Sequence, residues 1–241
     1  MNLIVDIGNT NAKIAVFEAN KLLEKINVSL CDISLSSKKF QEKYNLTGCI
    51  VSSVSNYNAS ALKNNFHFSK FIELDNSTKV PFKNKYKSPN TLGVDRIALA
   101  SAAATIYPNK NILVIDAGTC ITYDFINDKK EYLGGAISPG ISIRYKSLHN
   151  FTAKLPLLEK NKFSLIGTDT KGSIHSGVLN GVVQEIDGVI NQYLTKNQTL
   201  TIVLTGGDAI FLAKNLKSTI FANPNFLLEG LNSILIYNFD E

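Results

Sequence analysis

Asp6 and Asp116 occupy the same place in two copies of one pattern. The chain opens "MNLIVDIGNTNAKIAVF", and from Asn111 to Ile126 it reads "NILVIDAGTCITYDFI". Each copy runs from apolar residues into Asp-x-Gly, then Asn or Thr, then a second alternating apolar stretch. A carboxylate at the end of a buried strand, followed at once by a glycine turn, points a metal ligand at a place where backbone N–H groups are also exposed. That pairing suits Mg²⁺ bridging phosphate oxygens, because Mg²⁺ prefers one or two carboxylates plus substrate phosphate. The turn amides and the hydroxyls of Thr10 or Thr119 can cradle the phosphates, and Lys13 can add a point charge. Taken singly, such a turn also reads as an ordinary tight turn. The pair reads as two related halves gripping one nucleotide.

Two further segments carry chemistry. In "GVDR", Gly93 to Arg96, Arg96 can hold a carboxylate in bidentate fashion and Asp95 can accept a hydroxyl proton. The alternative is a helix cap followed by an exposed arginine. In "LTGGDA", Gly206 and Gly207 let a flat ligand such as an adenine or ribose approach the backbone, or else form a plain strand-to-helix turn.

The elements that must position these residues follow from hydropathy pattern. Leu3 to Val5 and Lys13 to Phe17 predict a β-hairpin around "DIGNT", with Gly8 supplying the backbone angle of the turn. A strand is expected at Gly48 to Val54 and a helix at Tyr57 to Phe66. Pro81 and Pro89 bracket a loop. The Ala-rich stretch after Gly93 has high helix propensity, with Asp95 near its positive N-terminal end. A second hairpin spans Ile112 to Ile126, "GGAISPGI" reads as a Gly/Pro-punctuated turn, and Ser142 to Asn150 reads as helix. From Thr170 a longer helix begins, in which Ile174, Val178, Val182 and Ile186 form one apolar stripe, with Gly177 and Gly181 beside it for close packing. "LTIVLTGGDAIFLAKNL" predicts strand, turn and helix. Val28 to Tyr44 carries no identifiable chemistry and reads as scaffold. No low-complexity linker separates the halves, so a boundary near Pro108, dividing residues 1–108 from 109–241, rests on the repeat alone.

Composition narrows the function classes. At 241 residues and 44% hydrophobic, the chain can bury a sizeable core and is not disordered. No apolar run approaches a membrane span, and Asp6 interrupts the first apolar run too early for a secretory signal. Cys31, Cys49 and Cys120 are odd in number without a C-x-x-C pair, which argues against a disulfide framework. His67, His149 and His175 are too scattered for a zinc motif. A reducing, cytoplasmic compartment is expected. The net charge of +5 is spread along the chain, apart from "KVPFKNKYK" at Lys79 to Lys87, and suits anionic metabolites better than nucleic acid.

Together these residues resemble the type III pantothenate kinases of the acetate and sugar kinase/Hsc70/actin superfamily. The resemblance is carried by "DIGNTNAK" (Asp6 to Lys13), "GVDR", "DAGT" (Asp116 to Thr119) followed by "TYD", "GGAISPGI", "TAKLP" (Thr152 to Pro156), "GTDT" (Gly167 to Thr170) and "TGGDA", in the family's order. It implies an α/β fold of two ribonuclease-H-like domains with ATP in the cleft between them. It implies transfer of the γ-phosphoryl of ATP to the primary hydroxyl of pantothenate, the first step toward coenzyme A. Asp95 matches the family's general base. Gly93, Val94, Asp95 and Arg96, with Tyr86 and Thr170, match its pantothenate contacts. Asp6, Ile7, Gly8, Asn9, Thr10, Asn11, Ala12, Lys13 and Thr119 match its ATP contacts. Asp116 matches the ligand of a monovalent cation, K⁺ or NH₄⁺, and Asp6 is the better candidate for steering Mg²⁺. The family also implies a homodimer, with neither nucleic acid nor membrane as partner.

Cys120 departs from the pattern, since the family usually has a small residue there, often alanine. It reads as apolar packing, with a redox-sensitive thiol beside the phosphates as the sharper alternative. Three rival functions share parts of the pattern: another kinase of the superfold, an exopolyphosphatase-like hydrolase, and a pseudokinase acting as an accessory protein.

Overall fold

The structure is a computed structural model that describes residues 1–8, 11–54, 62–63, 66–197 and 199–239. In chain order its strands are β1 (Asn2–Ile7), β2 (Asn11–Glu18), β3 (Lys21–Ser29), β4 (Gly48–Ser53), β5 (Lys70–Glu73), β6 (Lys83–Asn84), β7 (Asn111–Ala117), β8 (Cys120–Ile126), β9 (Glu131–Pro139), β10 (Leu200–Thr205) and β11 (Phe221–Ala222). Its helices are α1 (Ile33–Lys43), α2 (Val94–Ile106), α3 (Ile141–Asn150), α4 (Thr170–His175), α5 (Gly181–Lys196), α6 (Ala209–Ala213) and α7 (Phe226–Phe239), with a π-helical turn at Ser176–Asn180 joining α4 to α5.

The chain forms two compact units. The first comprises Met1–Asn109, Lys129–Leu133 and Asn225–Glu241, and the second Lys110–Asp128 and Gly134–Pro224. In the first unit the strand order is β3-β2-β1-β4-β5, and in the second β9-β8-β7-β10-β11. Both have an antiparallel hairpin at the centre (β1/β2, β7/β8) and parallel neighbours beyond it (β1/β4/β5, β7/β10/β11). The motif repeat in the sequence is therefore a repeat of sheet topology.

Alternation along the strands decides which face is core. In the first unit Leu3, Val5, Ile7, Ala12, Ile14, Val16, Cys49 and Val51 share one buried cluster with Ile33 and Phe40 of α1. Asp6, Lys13 and Ser52, displaced by one residue from that set, face the other side of the sheet, because successive strand residues point to opposite faces. In the second unit Leu113, Ile115, Ala117, Ile202 and Leu204 pack with the stripe Ile174, Val178, Val182 and Ile186, leaving Asp116 on the opposite face.

Several expectations from sequence need correction. "GGAISP" is strand rather than turn: it is the second half of β9. Gly135 lies so close to β8 that a Cβ there would fall 1.6 Å from the Tyr123 carbonyl oxygen, so the glycine serves strand approach. Gly8 closes its turn through Gly8 N–H to the Asn11 carbonyl at 3.0 Å without a positive φ; among the described residues, the glycines with one are Gly134 and Gly206. A Cβ at Gly177 or Gly181 would meet nothing within 4 Å, so neither permits close packing within this chain. The stretch between Pro81 and Pro89 contains the short strand β6, paired with Glu131 and Tyr132 at the start of β9. Cys120 is exposed and is not packing. The helix expected at Tyr57 to Phe66 lies largely outside the described residues, where Leu62 and Lys63 are helical. No helix among the described residues is long and apolar enough to cross a membrane.

Candidate active site

Asp6 is the penultimate residue of β1, on the sheet face opposite the α1 core, and is 16% exposed. Lys13 stands directly across the hairpin in register, with its Nζ 3.9 Å from Asp6 Oδ2. Burial pushes the Asp6 carboxyl up from 3.8 to about 6; Lys13 opposes that rise and the nearby carboxylate of Asp95 adds to it. The first unit thus brings together three of the sequence-predicted groups: Asp6, Lys13 and Asp95. Ile7 and Ala12 are buried and can offer only backbone to a ligand. Asn11 is exposed at the start of β2. Asn9 and Thr10 lie outside the described residues.

Asp95 is the second residue of α2, where unpaired N–H groups and the helix dipole favour a carboxylate. Its Oδ1 accepts from the Arg96 N–H at 2.8 Å, leaving Oδ2 for a second donor. Gly93 caps the helix, and a Cβ there would come within 2.4 Å of Asp95 Oδ1. A larger residue would displace the acid. Arg96 is not the exposed arginine of the simpler alternative: it is 5% exposed. Its guanidinium carbon lies 5.7 Å from the Tyr86 ring centroid and 5.9 Å from that of Tyr132, within cation–π range. Tyr86 therefore lies against Arg96. Tyr132 was missed, because a strand tyrosine in "EYLGG" gives no signal of its partner.

Asn76 was also missed. Its Nδ2 donates to the carbonyls of Pro89 at 2.7 Å and Leu92 at 2.8 Å, tying down the turn that leads into Gly93. Asp75 stiffens that anchor by accepting from the N–H and hydroxyl groups of both Ser77 and Thr78.

In the second unit, Asp116 is the penultimate residue of β7, as Asp6 is of β1. Gly206 crosses close beside it, with φ +95°, and a Cβ there would lie 2.4 Å from Asp116 Oδ1 and 2.3 Å from the Ala117 carbonyl oxygen. The "TGGDA" turn is thus packed directly onto the second acidic turn, and Asp208 N–H donates to Ala117 at 2.9 Å. Thr119 is exposed at the tip of the β7/β8 hairpin. Thr170 begins α4, whose cap Asp169 accepts from Gly172 N–H at 2.6 Å. It lines a hollow of about 640 Å³ with Leu148, Leu155, Asp169 and Ile174. Among the described residues no three His, Cys, Asp or Glu side chains gather as a metal cluster. A lone carboxylate per turn fits a cation that takes its remaining ligands from phosphate, water or backbone.

The model of the type III pantothenate kinase family matches residues 2–192. The chain belongs to this family. It is 49% identical over 243 residues to the type III pantothenate kinase of Christiangramia forsetii, covering 99% of each chain. It is 48% identical to that of Flavobacterium johnsoniae, covering 100% of this chain and 99% of the relative. Among solved structures it is similar to a Baf family protein from Campylobacter jejuni, 25% identical with a TM-score of 0.62 over 99% of this chain and 100% of that one. A glucokinase from an Antarctic psychrotroph matches at 14% identity and a TM-score of 0.58, covering 98% of each. That likeness carries the fold alone: the actin-like ATPase superfold, with its two ribonuclease-H-like sheets.

Proposed function

We propose that the chain transfers the γ-phosphoryl of ATP to the primary hydroxyl of pantothenate, giving 4'-phosphopantothenate, the first step of coenzyme A biosynthesis. The observation that carries the reading is the grouping of Asp6, Lys13 and Asp95 in one unit of a chain that belongs to the family. In this reading Asp95 is the general base. Its free Oδ2 takes the hydroxyl proton as the hydroxyl oxygen bonds to the γ-phosphorus and the bond to ADP breaks. Such a base contributes about 10²–10⁴-fold, and the remaining acceleration comes from positioning and charge stabilisation.

The other roles follow from side-chain chemistry. Asp6, Ile7, Gly8, Asn9, Thr10, Asn11, Ala12 and Lys13, with Thr119, contact ATP. Gly93 to Arg96, with Tyr86 and Thr170, contact pantothenate, and the Arg96 guanidinium receives its carboxylate. Asp6 holds Mg²⁺, which when bound neutralises phosphate charge. Asp116 holds K⁺ or NH₄⁺. The two halves divided near Pro108 are read as copies of a duplicated domain, the first completed by residues 129–133 and 225–241. We place the enzyme in the cytoplasm as a homodimer without nucleic-acid or membrane partners.

The test is ADP release by the purified protein with Mg²⁺ and K⁺, with and without pantothenate, against a panel of other alcohols that includes glucose. Release that requires pantothenate supports the reading. Release without any acceptor indicates a hydrolase, release with another alcohol a different kinase, and ATP binding without turnover an accessory protein. For the cation, Asp116→Ala is expected to raise the K⁺ concentration needed for half-maximal rate. Equal losses in Na⁺ and K⁺ buffers would move that role elsewhere.

A further inference from the structure

Ser52 is the penultimate residue of β4, an interior strand of the first unit's sheet; it is 0% exposed, and its hydroxyl has no hydrogen-bond partner among the described residues. Buried polar groups are nearly always paired, because an orphan forfeits its hydration without compensation. An alanine would fill the same place without that cost. The hydroxyl therefore calls for a use.

Register supplies one. β4 runs parallel to β1 with Ser52 opposite Asp6, and β2 runs antiparallel on the other side with Lys13 opposite Asp6. Residues in register on neighbouring strands share a face, so Lys13, Asp6 and Ser52 form one row across the sheet. Neighbouring strands lie about 4.8 Å apart, so the Ser52 and Asp6 side chains stand side by side on that face. The second unit repeats the row: Asp116 stands opposite Thr122 on β8 and Thr205 on β10. In both units the parallel strand carries a hydroxyl residue beside the central acid.

We propose that Ser52 is a positioning residue, whose hydroxyl donates to the ionised carboxylate of Asp6 and fixes the orientation in which that carboxylate serves the nucleotide. The proposal rests on the reading of Asp6 as a nucleotide-site residue. Lys13 holds one side of the carboxylate and Ser52 the other, so that neither oxygen swings away from the phosphates.

Ser52→Ala tests this by three readouts. Without nucleotide its thermal midpoint should stay at or above that of the natural protein, because in the free structure the hydroxyl has no hydrogen-bond partner to lose. Its affinity for ATP with Mg²⁺, measured by titration calorimetry, should fall about 10- to 100-fold, the scale of one hydrogen bond to a charged group. Its kcat/KM for ATP should fall in parallel while KM for pantothenate stays within twofold. A clear drop in thermal midpoint with unchanged ATP affinity would make the hydroxyl structural and overturn the proposal. So would unchanged affinity with an unchanged midpoint. Inactivity of the natural protein toward pantothenate would sink the functional reading, yet the calorimetric comparison would still decide the role of Ser52.

Discussion

At the scale of single residues, the two acids of the first unit stand in different settings. Asp95 stands at a helix N-terminus with one oxygen held by the Arg96 amide, so it is oriented. Asp95→Asn keeps the shape and removes the proposed base, and kcat should fall about 10²–10⁴-fold while calorimetry shows ATP binding retained. Asp6 is held against its own ionisation. A folded-state value of about 6 against 3.8 unfolded means that the folded chain binds the extra proton between those limits. The contribution of Asp6 to stability is therefore fully present below about pH 4 and is lost as pH rises through 6. The difference is worth about 3 kcal/mol at most. Asp6→Asn should then raise the unfolding free energy at pH 8 by roughly 2–3 kcal/mol, add little at pH 4, and lose ATP turnover at both. Denaturant titration at the two pH values reads the difference directly, and a loss of stability at pH 8 would contradict the account. Asp6, Lys13 and Asp95 drew attention in the sequence because charged residues stand out beside glycine turns, whereas Tyr86 entered only through the family resemblance. Ser52, Asn76 and Tyr132 drew no attention, since a serine in an apolar strand or an asparagine in a turn acquires its meaning only from a partner far along the chain.

At the scale of elements, local pattern predicted best where it agreed with packing. Both hairpins, the Ala-rich helix α2 and the strand-turn-helix at "LTGGDA" followed from hydrophobic period and breaker residues. β9 did not: Gly134, Gly135 and Pro139 are turn formers by propensity, yet the sheet uses Gly135 because no Cβ fits beside Tyr123. Cross-strand distance outweighed propensity there. The paired glycines at the end of β10 make the same point in testable form. Gly206 has φ +95° and meets Asp116 and the Ala117 carbonyl, whereas a Cβ at Gly207 would meet nothing within 4 Å. Gly206→Ala should destabilise by about 1–3 kcal/mol through overpacking and strain and disturb the K⁺ response attributed to Asp116. Gly207→Ala should leave thermal midpoint and cation response nearly unchanged. Equal effects at both positions would show that general turn flexibility, and not contact with Asp116, is what matters.

At the scale of the whole molecule, the order of the chain and the order of packing part company at the C-terminus. α7 follows the second unit in sequence but belongs to the first. Its Phe226, Leu228, Leu231, Ile234 and Leu235 are buried, and at Gly230 it approaches α2 so closely that a Cβ would fall 1.9 Å from the Ala98 carbonyl oxygen. Asn232 donates to the Ala19 carbonyl at 2.8 Å and accepts from Asn2 at 2.9 Å, anchoring the helix to the first unit's β1/β2/β3 region. The helix thus covers apolar surface on the same unit that carries Asp6 and Asp95. A chain cut to residues 1–108 would expose the partner surface of five large apolar side chains, each worth roughly 1.5–3 kcal/mol of burial, against a total stability of about 5–15 kcal/mol for an ordinary domain. That fragment should remain unfolded by circular dichroism and amide exchange. Joining residues 225–241 to it through a flexible linker should restore cooperative unfolding. If the shorter fragment folds alone, α7 is an accessory to the first unit and not part of its core, and the placement of Asp95 on α2 would then owe nothing to the helix packed against it.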